Sequence, residues 1–143
     1  MPAAATSILE DIVSTLGGTG LFTEVSLGRH EGSTAVPRAH VTYEGHDVFL
    51  SDDSSGNVWV RLQARVAVRT RSDDFAEGIT RAADLCASVA DALLADPYRG
   101  QRCRHLPIGP ATQIGQTKMT PGIRRPEVEM TFGVCCHFEQ ENT

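Results

Sequence analysis

The sequence predicts an α+β fold: a mixed, mostly antiparallel sheet with an N-terminal helix and one long helix packed on one face. Two stretches of sustained alternation and one helical stripe between them support that expectation. In the first stretch Val58, Val60, Leu62, Ala64, Val66 and Val68 alternate with Trp59, Arg61, Gln63, Arg65, Ala67 and Arg69. In the second Val128, Met130, Phe132, Val134, Cys136 and Phe138 alternate with Glu127, Glu129, Thr131, Gly133, Cys135 and His137. Such alternation gives each strand one apolar and one polar face, as in an antiparallel sheet covered on one side. Between them Ile79, Ala82, Ala83, Cys86, Val89, Ala90, Leu93 and Leu94 recur at helical spacing and form a broad apolar stripe.

The first element is expected to be a helix over about Ser7 to Leu16, with Ile8, Leu9, Ile12, Val13 and Leu16 on one side. Ser7 and Glu10 have capping-box spacing, and Gly17-Gly18 offers a place to end. A strand is expected from about Phe22 to Leu27, followed by a loop through Gly28, Gly32, Ser33 and Pro37. Ala39, Val41 and Tyr43 alternate with His40, Thr42 and Glu44, and Gly45 is expected to turn the chain into a short strand, Asp47 to Leu50. Ser51 to Asn57 consists of turn formers. The long helix is expected over Phe75 to Ala95, opened by Asp74 and Glu77 and stopped before Pro97. Arg104, Leu106 and Ile108 suggest another strand. Gly109 to Pro126, rich in Pro and Gly, reads as a long loop of the kind that is often functional.

A length of 143 residues fits a single domain, 1–143. A chain of this size buries about two thirds of its unfolded surface, enough for a core without covalent staples. The formal net charge of −5 disfavours a protein whose main task is gripping phosphates. No apolar run approaches the roughly 20 residues that span a bilayer, and the start lacks the features of a signal peptide, which points to a cytoplasmic origin. Cys86, Cys103, Cys135 and Cys136 suit a reducing setting, since adjacent Cys135 and Cys136 point to opposite faces of a strand.

The outer faces of the two long strands carry opposite charge, Arg61, Arg65 and Arg69 against Glu127, Glu129 and Glu139. Side-by-side pairing would let them meet, each cross-strand pair contributing about 0.2–1 kcal/mol. The same charges could instead fix the register of another subunit. A nucleic-acid track is the weaker alternative, because Trp59 is the one aromatic on the arginine row.

Residues that would carry chemistry are sparse. Gly17-Gly18-Thr19-Gly20 follows a helix, whereas a phosphate-binding loop follows a strand. Asp52-Asp53 and Asp73-Asp74 read as a solvated turn and a helix cap. Cys103, His105, Cys135 and His137 could converge on zinc only if two strands neighboured in the right register, and their spacing is not that of a finger or ribbon. No catalytic residues, cofactor or metal are therefore expected, although a small Cys/His metal-binding or enzymatic domain stands as the alternative of a different class.

The order of elements, carried by Val58 to Asp74, the helix to Asp96 and Arg125 to Glu139, resembles the tail-terminator proteins of long-tailed bacteriophages. The run Arg125-Pro126-Glu127-Val128-Glu129-Met130-Thr131-Phe132 is similar to the closing strand of such proteins. The resemblance implies a homo-oligomer, a hexameric ring that caps the tail tube protein, joins a head-completion or neck protein and lets genome DNA pass without specific binding. Its place would be the tail–neck junction of a virion; another head–tail connector or neck protein is the neighbouring alternative. The long loop and the charged outer faces of the two long strands make Arg61, Arg65, Arg69, Gln113, Lys118, Glu127 and Glu129 the expected interface residues, with the final strand and the loop before it lying at subunit contacts.

Overall fold

The computed structural model describes residues 3–28, 36–50, 58–72, 74–100, 103, 109, 112–117 and 127–139. Helix α1 spans Ala3–Gly18. It begins upstream of the expected start because Ala3-Ala4-Ala5 are the strongest helix formers and Ala5 is fully buried. Ser7 therefore lies inside the helix and not at its cap. Gly17 and Gly18 are likewise helical, and the left-handed residue is Gly20, with φ of 71°.

Strand β1 (Glu24–Leu27) runs parallel to the first residues of β2 (Arg38–Leu50). Strand β3 (Val58–Arg71) lies antiparallel to β2, and helix α2 (Phe75–Leu94) follows it. Strands β4 (Thr112–Thr117) and β5 (Glu127–Glu139) complete a five-stranded mixed sheet of order β1-β2-β3-β5-β4. The α+β class and the two helices on one face follow the sequence pattern. Helix α1 packs over β1 and β2, and α2 over β3 and β5.

Two expectations for the strands change. Gly45 does not reverse the chain: β2 is continuous, and Gly45, at φ of 126°, sits in a bulge opposite β3 between Tyr43 and Gly45. Without a Cβ, glycine takes this conformation readily, so the bulge absorbs one residue while the strand continues. The stretch read as one long loop also contains β4, antiparallel to β5 from Thr112↔Thr131 to Thr117↔Glu127. Its Thr/Gln composition lacks apolar alternation, so pairing with β5 and not periodicity defines it. Residues 104–108, expected as a strand, lie outside the described residues.

The core forms between the sheet and both helices. Ile8, Leu9, Ile12 and Leu16 of α1 and Cys86, Val89 and Leu93 of α2 pack with Val41, Leu62, Val66, Val68, Phe132 and Val134. Each fully buried large aliphatic side chain contributes about 1.5–3 kcal/mol relative to exposure. Asp74 caps α2 as expected, accepting from the Ala76 amide at 3.0 Å. Gly78 lets α2 approach closely: a Cβ there would come within 3.2 Å of Val128 Cγ2, and the Thr70 hydroxyl donates to the Gly78 carbonyl at 3.0 Å.

Arg99 joins the two helices, an arrangement no sequence spacing signals. It is 2% exposed at φ of 47°. Its guanidinium donates to Asp11 Oδ2 at 3.2 Å and Thr15 Oγ1 at 2.8 Å on α1, and to the Leu93 and Asp96 carbonyls at 2.7 and 2.9 Å. It thus adds a second donor to the Leu93 and Asp96 carbonyls, which also accept the Asp96 and Arg99 amides, while its charge meets the Asp11 carboxylate.

Candidate interaction surface

The sheet face opposite the helices collects the charged residues, and the β3–β5 register decides which of them meet. Arg71 lies opposite Glu127, Arg69 opposite Glu129, Ala67 opposite Thr131, Arg65 opposite Gly133 and Arg61 opposite His137. The arginine and glutamate rows therefore overlap at only one end of the sheet.

At that end the charges are buried. Arg69 holds Glu129 at 2.8 Å and Glu127 at 3.6 Å, and Arg71 holds Glu127 at 2.5 Å. From β2, Arg38 lies 3.9 Å from Glu127, and His40 Nε2 lies 3.8 Å from Glu129. Glu127 and Glu129 are only 7% and 5% exposed. Among the described residues three guanidinium groups share these two carboxylates, and burial together with the Arg69 charge lowers the Arg38 pKa against the opposing pull of Glu127 and Glu24.

At the other end the same face is open. Arg65 meets Glu44 at 3.3 Å and donates to Thr131 Oγ1 at 3.1 Å. Arg61 meets Asp47 at 3.4 Å, lies 5.0 Å over the Phe49 ring, and contacts His137 through Nε at 3.4 Å. Phe49 and His137 stack edge to face at 5.7 Å. The Tyr43 hydroxyl and His46 Nδ1 are hydrogen-bonded. A shallow basin opens at the bulge between Glu44, His46, Asp47, Gln63 and Arg65.

Glu44 and Asp47 were not among the expected residues, and the bulge explains why. Uninterrupted alternation would put residues 44 and 47 on opposite faces. The extra residue, Glu44, shifts the phase beside Gly45, so Asp47 falls opposite Arg61. It also places Val48 opposite Val60 and Leu50 opposite Val58, on the helix-side face and beyond the cover of the helices. Tyr43, Val48 and Leu50 are consequently 40%, 55% and 69% exposed. Strand β1 pairs with β2 only from Arg38 to Val41, so the edge from Thr42 to Leu50 has no neighbouring strand among the described residues.

The remaining expected residues divide in the same way. Gln113 lies on β4 opposite Met130, whereas Lys118 is outside the described residues. The Cys/His set does not gather. Cys103 and Cys136 are buried on the helix side, where their side chains hydrogen-bond, while Cys135 and His137 stand on the charged face; His105 lies outside the described residues. Burial pushes the Cys86 thiol up to about 11, and the Cys136 thiol is raised by its bond to Cys103 and by burial. Such thiols stay protonated and are poor nucleophiles. Among the described residues no three His, Cys, Asp or Glu side chains are grouped to hold a metal, and no helix is long and apolar enough to cross a membrane.

No family model matches the chain, and no curated protein matches it. Among solved structures, a chain described as "Virion of native gene transfer agent (GTA) particle" is similar over 94% of this chain and 94% of its own length. The identity is 17% and the TM-score 0.48, a likeness that carries no argument about what this chain does.

Proposed function

We propose that this protein is a structural subunit of a phage-type virion, working through assembly and not through catalysis. Its specific role in this reading is to close a tail tube as a ring, hexameric as in the tail terminators its sequence resembles. The ring would meet the tube protein on one side and a head-completion or neck protein on the other. The observation that carries the proposal is the outer half of β2, an edge with no neighbouring strand among the described residues and with exposed Tyr43, Val48 and Leu50 beside Glu44 and Asp47. An uncovered strand edge with apolar side chains is a liability in a monomer and an asset in an assembly.

The charged face favours this reading over a nucleic-acid track. Arg61, Arg65 and Arg69 each have an acidic partner within 3.4 Å, so the face presents alternating and not uniformly positive charge. A phosphate backbone selects clustered cations, and a channel that held DNA tightly would hinder its passage. The proposed assembly needs no cofactor and no metal.

The test is the state of the purified chain by light scattering and negative-stain imaging, followed by mixing with tubes of the tail protein. A ring that binds tube ends supports the proposal. A monomer at every concentration that leaves tubes uncapped refutes it.

A further inference from the structure

We infer that Cys103 and Cys136 form a redox clip: in the presence of a peroxide their thiols close a disulfide that ties the chain after α2 to strand β5. The two residues are distant in sequence and meet in the core, 4% and 0% exposed. Cys136 lies on β5 opposite Leu62, on the helix-side face. Local bonds position Cys103: its amide donates to the Tyr98 carbonyl at 3.1 Å and its thiol to the Pro97 carbonyl at 3.6 Å. That donation leaves the Cys103 sulfur to act as acceptor, and its side chain is hydrogen-bonded to Cys136. Cys135 projects from the opposite face of β5, so Cys136 is the thiol of that strand within reach of Cys103.

The reaction balances with a peroxide as oxidant. The Cys103 thiol takes one peroxide oxygen, giving a sulfenic acid and water. The Cys136 sulfur then attacks the Cys103 sulfur. The S–S bond forms, the S–O bond breaks, and the departing hydroxide leaves with the Cys136 proton as a second water. Two electrons pass from the sulfurs to the peroxide. Burial makes the first step slow, because thiols held protonated are poor nucleophiles, whereas the contact between the two side chains favours the second. The pair therefore stays reduced in a cytoplasm and closes on sustained exposure to oxidant. Closure joins residues 103 and 136, a long loop whose freedom the disulfide removes from the unfolded chain. It reinforces a junction already built, since Arg99 joins the two helices just before Cys103 and the Gly109 amide donates to the Gly133 carbonyl at 2.8 Å just after it. In the virion reading above the chain passes from reducing to oxidising surroundings, where such a clip would close; the reaction itself is independent of that reading.

The experiment treats the purified full-length chain with hydrogen peroxide, blocks the remaining thiols and maps its peptides without reduction. A cross-linked Cys103–Cys136 peptide is expected, and dithiothreitol should separate it. The oxidised chain is expected to melt about 5 °C or more above the reduced one. Cys135→Ser should keep both results, because that thiol faces away. Cys103→Ala should abolish the shift, as should Cys136→Ala; where either variant fails to fold, the peptide map of the wild type decides. Cys103 and Cys136 recovered as separate thiols or sulfinic acids overturn the inference. A cross-linked chain that melts no higher than the reduced one overturns it as well. Each outcome is read on the isolated chain, so the capping of tail tubes succeeds or fails separately.

Discussion

The two ends of the charged face use the same residue types on the same strands, yet they do different physical work. Around Glu127 and Glu129 the carboxylates are nearly sealed from solvent and shared among Arg38, Arg69 and Arg71. Around Arg61 and Arg65 the partners are Asp47 and Glu44, with side chains roughly half exposed. Removing one member of a buried pair strands a charge and costs about 3–5 kcal/mol, whereas an exposed pair contributes about 0.2–1 kcal/mol. The closed end therefore holds the subunit together. The open end leaves its charge and apolar surface available to a partner.

Glu127→Ala is the strongest way to break this contrast. It removes the carboxylate that Arg38, Arg69 and Arg71 all approach and is expected to cost about 3–5 kcal/mol in chemical denaturation. A loss below about 1 kcal/mol would mean the closed end is no more structural than the open one.

Gly45→Val attacks the device that separates the ends. A β-branched residue strains against the positive φ, with an expected loss of about 1–3 kcal/mol by thermal or urea unfolding. Assembly should fall with it, because the bulge sets the phase of Asp47, Val48 and Leu50. An unstrained, fully assembling variant would remove the bulge from the account.

Arg65→Glu should change monomer stability by no more than about 1 kcal/mol, because its ion pair is half exposed. Its like-charge contact with Glu44 is expected to be relieved by Glu44→Arg and not by making Glu127 or Glu129 basic, since neither lies opposite it. A double-mutant cycle of unfolding energies distinguishes these partners.

The smallest effect is chemical. A thiol reagent on the native chain should reach the half-buried Cys135, on the open face, before the buried Cys86 and Cys136; burial raises all three thiols, so access sets the order. Peptide mass mapping of the labelled chain reads the order, and early labelling of Cys136 would contradict its burial beside Cys103.

Much of the fold was legible because periodicity reports directly on burial. The alternation from Val58 and from Glu127 fixed both long strands and their two faces, and the stripe from Ile79 to Leu94 fixed α2 with its Asp74 cap. Strand β4 escaped because Thr112–Thr117 has no apolar alternation and is a strand only through pairing with β5. The continuity of β2 escaped because glycine between two short alternating runs signals a turn and a bulge equally well. Arg99 escaped because its partners on α1 are distant in sequence and meet it only after the helices pack.

The candidate surface divides along the same line. The sequence by itself determined which residues share a polar face, since side chains on a strand alternate whatever surrounds them. The tertiary structure decided which charges meet, through a register that puts Arg69 and Arg71 on the glutamates and leaves Arg61 and Arg65 to β2. It decided exposure too, because cover depends on where the helices and β1 stop, and nothing in the local sequence of Val48 or Leu50 records that distance.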